Sequence, residues 1–175
     1  IHWTIIQVSS LRHNTGGGAK IIHSHKLTPR DTVTIFCIIE WKKENVVSIL
    51  EDHLLEILSA VEWNSREIET DFSYIAEHFN HFIKNIPTPD LVDVSIVLAC
   101  NSKDTFIFST IWTGQVLLVE ENTISLLTEW TNDRNEFHSI SSWEIPNWWK
   151  IYFSSSQVDS ILGEDIILEL SSLDE

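Results

Sequence analysis

Apolar residues recur at three- and four-residue spacing in two consecutive stretches. Val46, Leu50, Leu54, Ile57, Leu58 and Val61 form one stripe, which predicts an amphipathic helix over 44–61. Ile68, Phe72, Ile75, Phe79, Phe82 and Ile83 form the other, which predicts a helix over about 65–84, ended by Pro87 and Pro89. Elsewhere the period shortens. Residues 32–40 are a β-branched run that reads as a buried strand, and 3–9 and 19–26 read as shorter ones. After the helices come strands at 93–100, 104–111, 115–119 and 124–128, a short one near 137–141 and another at 150–154. Residues 157–172 suit one or two short helices. We expect 104–111 and 115–119 to pair as an antiparallel hairpin, and 124–128 to join 115–119 through a turn at Glu121-Asn122. Strands, two long helices, strands and a short helix suit an α+β fold in which two antiparallel sheets are flanked by helices.

The 175 residues are enough for one domain with a substantial core. The chain begins at Ile1 and contains no methionine, so residues 1–175 are read as a single domain within a longer product. A net charge of −15 argues against nucleic acid and against anionic membrane surfaces, both of which need basic patches. No apolar run approaches the ~20 residues of a membrane span. Cys37 and Cys100 lie in apolar strands and read as buried free thiols, which implies a reducing, cytoplasmic setting.

Tryptophan occurs eight times and glycine five times. Average usage would supply about 12 glycines in a chain of this length. Trp41, Trp63, Trp130, Trp143 and Trp148 sit beside Lys, Asn, Ser and Pro in turn-like contexts, where glycine supplies positive φ without steric cost. The pattern implies that many of these positions are glycine in a bacterial cell that reads UGA as glycine. On that reading the five sites lie in turns or at element ends and are mostly exposed. A tryptophan-rich core predicts buried rings with partnered N–H groups.

Local constellations of reactive residues are sparse. The loop Gly16-Gly17-Gly18 lacks the Lys-Ser/Thr of a phosphate loop. His23 and His25 alternate onto one face of a strand as a candidate metal pair, without an evident third ligand. His78 and His81, beside Glu77, read as a solvated helix face. Ser154-Ser155-Ser156 lacks the flanking glycines of a nucleophile elbow, and Glu164-Asp165 suits a helix N-terminus.

Three stretches carry a family resemblance. Ile111-Trp112-Thr113-Gly114-Gln115-Val116-Leu117-Leu118, then Glu121-Asn122, then Ile124-Ser125-Leu126-Leu127-Thr128-Glu129 is similar to the hairpin, with its glycine-aspartate-serine-arginine turn, of the metal-dependent PPM (type 2C) protein phosphatases and to the strand that follows it. Trp112 falls on the family glycine. Ile151-Tyr152-Phe153-Ser154-Ser155-Ser156-Gln157-Val158 resembles the family's strand followed by Ser-Asp-Gly-Leu, and upstream of it Trp143 to Trp149 resembles the loop that ends in Gly-Asp. Phe36-Cys37-Ile38-Ile39-Glu40-Trp41 resembles the strand ending in Asp-Gly. The resemblance implies a four-layer αββα sandwich.

It also implies a site at which bridging carboxylates hold two divalent ions that activate water for attack on phosphorus. Glu40 stands where the family's metal-bridging Asp stands. Thr113 replaces the Asp of the turn, and Ser156 replaces a ligand Asp. Arg12 and Asn14 echo the amino-terminal motif without its acid, and the final Asp-Asn motif is not visible. With the acids largely missing, the expectation is a catalytically inactive phosphatase-like domain without a cofactor, working as a binding or regulatory module. One rival is an active magnesium- or manganese-dependent phosphatase using Glu40 with Asp133 or Asp159. The other is a sandwich resembling the amino-terminal-nucleophile hydrolases, although no catalytic Thr, Ser or Cys begins the chain.

Overall fold

A computed structural model describes residues 18–27, 32–41, 44–63, 68–86, 94–102, 105–120, 123–128, 136–137, 140–144 and 150–154, with the single positions Asp165 and Glu169. In chain order the elements are β1 (Gly18–Leu27), β2 (Thr32–Trp41), α1 (Glu44–Ala60), α2 (Ile68–Lys84), β3 (Ser95–Ser102), β4 (Thr105–Ile111), β5 (Gln115–Glu120), β6 (Thr123–Leu126), β7 (Ser141–Glu144) and β8 (Lys150–Ser154). Two antiparallel sheets result, one in the order β1-β2-β3-β4-β7 and one in the order β6-β5-β8. The α+β class follows directly. The expected strand at 3–9 and the fourth, helical layer at 157–172 lie outside the described residues, apart from Asp165 and Glu169, which are helical.

Alternation along each strand sorts the core into layers. On β2, the residues Val33, Ile35, Cys37, Ile39 and Trp41 face the helices and join Val47, Leu50, Leu54, Phe72, Ile75 and Phe79 in one cluster. The intervening Phe36 and Ile38 face the second sheet and pack with Val97, Ala99, Phe106, Phe108 and Val116. Leu117 and Val119 are buried on the far side of β5, against Ile124 and Tyr152. β3 is buried on both faces from Ser95 to Cys100, which explains its near-continuous apolar run. α1 lies over β1 and β2, and α2 over β3 and β4. The periodicity identified the inward stripes of both helices, with Val47 and Ala76 as additions. Phe82 is half-buried and stacks on His53 at 3.7 Å between ring centres.

One expected pairing does not form. β4 pairs with β3 and β7, whereas β5 pairs with β6 and β8. The turn after Ile111 therefore carries the chain from one sheet to the other and does not close a hairpin. Both strands are buried on their inter-sheet faces, so splitting them between layers satisfies both apolar sets. The β5–β6 pairing is present, with Glu120 opposite Thr123 and Leu117 opposite Leu126. β7 begins at Ser141, later than the expected 137–141, because Phe137 turns into the helix-side core.

Asn80 of α2 fixes that segment. Its Nδ2 donates to the Phe137 carbonyl at 2.7 Å, and its Oδ1 accepts from the Phe137 N–H at 2.7 Å. Phe137 then lies against Phe79, with ring centres 5.9 Å apart. Asn80→Ala deletes both bonds and leaves two backbone groups unpaired. Denaturant unfolding should show a loss of about 1–3 kcal/mol, and Asn80→Asp, which keeps only the acceptor, should fall between.

Cys37 and Cys100 are both free and buried. Cys37 lies opposite Leu98 and Cys100 opposite Ile35, so the two do not face each other across the β2–β3 ladder. Burial drives the Cys37 thiol far above its ordinary range. Burial, and secondarily Asp71, push Cys100 up to about 12. Neither thiol should react with a thiol reagent at mildly alkaline pH while the protein is folded, and both should react once denaturant is added.

Candidate functional site

Glu40 is the penultimate residue of β2. Alternation places it with Phe36 and Ile38 on the face toward the second sheet, at the end of the strand where that face is half-buried. Its Cα partners across the sheet are Ala19 on β1 and Ser95 on β3. The turn carrying Thr113 arrives at the same end. Its Gly114 presses on β3 so closely that a Cβ there would lie 2.7 Å from the Ile96 carbonyl oxygen and 2.8 Å from Val97 Cγ2. Only glycine permits this approach. The fold thus brings the strand end that carries Glu40 and the turn that carries Thr113 to the same end of β3. Ser156, Arg12, Asn14, Asp133 and Asp159 lie outside the described residues.

The described positions offer one carboxylate, opposite an alanine and a serine across the sheet, with a threonine in the turn that arrives at the same end. A centre of two hard cations needs several carboxylate oxygens, and these residues do not fit one. Among the described residues no group of three or more His, Cys, Asp or Glu side chains could hold a metal ion.

His23 and His25 sit elsewhere. His23 pairs with Phe36, four residues before Glu40, a distance of about 13 Å along a strand. The two imidazoles meet edge to face at 4.4 Å. His23 stacks on Phe36 at 4.9 Å, Phe36 on Phe153 at 5.8 Å, and Phe153 meets Phe106 at 5.5 Å. The histidines therefore end a row of aromatic rings that crosses between the sheets. His25 Nδ1 lies 3.0 Å from the Thr34 hydroxyl. Ring packing and this bond account for the alternating pair, and the period-two spacing that suggested ligands is the same spacing that aligns the rings.

Residues of α1 and α2 line a concavity of about 320 Å³. His53, Glu56, Tyr74, His78, His81 and Phe82 line it. His78 packs on Tyr74 with ring centres 3.8 Å apart, and its Nδ1 donates to the Tyr74 carbonyl at 2.9 Å. His53 Nδ1 lies 3.5 Å from a Glu56 carboxylate oxygen. Sequence spacing gave the His78–His81 pair but not His53, which arrives from α1 through tertiary packing.

No family model and no curated protein matches this chain. Among solved structures it is similar to the PP2C phosphatase domain, with a fragment of the regulatory domain, of the cell fate determinant SpoIIE from Bacillus subtilis. The two share 11% identity and a TM-score of 0.47, over 75% of this chain and 41% of that one.

Desolvation by packing, and secondarily the neighbouring His25, lower the pKa of His23 below its ordinary value of 6.5. The folded state therefore favours neutral His23. Its contribution to stability is complete above 6.5 and declines as pH falls through the window below that value. An NMR titration should place the His23 midpoint below 6.5. His25→Gln, which removes the neighbouring charge, should move that midpoint upward.

Proposed function

We propose that this domain is a catalytically inactive relative of the type 2C phosphatases that serves as a binding or regulatory module. The observation that supports the reading is the composition of the Glu40 rung. The residue aligned with the family's bridging acid stands between Ala19 and Ser95, and the adjoining turn supplies the neutral Thr113. Without several convergent carboxylates, water is not activated for attack on phosphorus. What remains is a stiff sandwich, buried on both faces of its central strand. Function on such a frame resides in whatever surface has been fitted to a partner. No described helix is long and apolar enough to cross a membrane. The site requires no resident metal on this reading.

Calorimetric titration with manganese or magnesium, run beside hydrolysis of a small aryl phosphoester and a phosphopeptide, tests it. The expected result is no saturable two-metal binding and no turnover, with Glu40→Gln indistinguishable from the parent in both. Micromolar binding of two metal ions with turnover, both lost in Glu40→Gln, would establish the active alternative and place the missing acids among residues such as Asp133 and Asp159.

A further inference from the structure

Residue 112 has φ 56°, and it is the only described non-glycine residue with positive φ. The Gly114 N–H donates to the Ile111 carbonyl at 3.3 Å, closing a four-residue turn with Trp112 and Thr113 at its centre. Positive φ at the first central residue alone is the pattern of a type II′ turn, whose first central position belongs to glycine. For a bulky side chain this backbone is an outlier, because Cβ crowds the carbonyl oxygen. The Trp112 side chain packs against the helix-side core, and Gly114 lies against the Ile96 carbonyl, so the turn is held in this strained form from both sides.

An independent sign comes from the turn after α1. Trp63 is only 8% exposed, yet its buried indole N–H has no acceptor among the described residues. A tryptophan selected for a core position places that group on a partner. Trp41 and Trp143 are neutral in this respect. Trp41 ends β2 buried among core residues, and Trp143 is 41% exposed within β7. The exposure expected of glycine sites thus holds at Trp143 and fails at Trp41 and Trp63. Trp130 and Trp148 lie outside the described residues.

We infer that position 112, and with it position 63, is glycine in the protein its own cell makes. The codon at both positions is then UGA, which differs by one base from the tryptophan codon UGG and by one base from the glycine codon GGA. The shortage of glycine, five against eight tryptophans, follows from the same reassignment. Residues 112–114 then read Gly-Thr-Gly, a bare turn between the two sheets. This inference does not depend on whether the domain binds metal.

The test has two arms. The gene should carry UGA at codons 112 and 63, and tryptic peptides of the protein isolated from its source cells should have glycine masses there. UGG at codon 112, or tryptophan in the native peptide, would overturn the inference. In the full recombinant chain, Trp112→Gly should raise the urea midpoint above the parent and above Trp112→Ala, because alanine keeps the backbone penalty that glycine removes. A midpoint for Trp112→Gly below both would equally overturn it, by showing that the indole is a fitted part of the core.

Discussion

The structure depends on the burial of β3 from both sides. Ile96, Leu98 and Cys100 face the helices, while Val97 and Ala99 face the second sheet. Every residue of β3 from Ser95 to Cys100 is buried, whereas β2 has half-buried positions on its inter-sheet face. β2 and β4 pair with it on either side, and α2 lies across it and β4. The Ile96 carbonyl and the Val97 side chain are also the surface on which the turn at 114 rests. A polar side chain in the middle of β3 would lose apolar burial and leave its own groups unpaired. Around that strand the sheet register is fixed, because a one-residue slip would exchange the two cores.

The same constraint explains which parts of the fold were legible. The helices were readable because their inward stripes lie within single elements, and propensity agreed with period. Strand positions were readable because turns and charged residues punctuate the apolar runs. Sheet membership was not. A three-residue connection between apolar runs, Trp112-Thr113-Gly114, has the local form of a hairpin, yet β4 and β5 belong to different sheets. Which sheet an apolar strand joins depends on its pairing partners, and one partner of β5 is β8, about forty residues further on.

The candidate site divides along the same line. Glu40 could be singled out from its own strand, and alternation alone puts it on the inter-sheet face. Its neighbours could not, because the opposition of Glu40 to Ala19 and Ser95 is a matter of register between distant segments. His23 and His25 show a related ambiguity. Spacing made them look like ligands, whereas the ring of Phe36 on the adjacent strand makes His23 part of a stacked row. A period of two aligns ligands and packing side chains alike, so spacing cannot separate them until the facing strand is known.

The chemistry and the frame are therefore under different constraints. Positions such as Ile39, Leu50, Phe72 and Ile107 are fully enclosed, and truncating one would cost about 2–5 kcal/mol, a large share of a domain's stability. Glu40, at the half-buried end of its strand, is free of that demand, and so is the exposed surface around the sheet ends. Electrostatics adds a second distinction, because gathered carboxylates repel one another unless cations are bound between them, whereas enclosed apolar side chains support one another. A substitution at the half-buried end of β2 therefore leaves the enclosed set untouched.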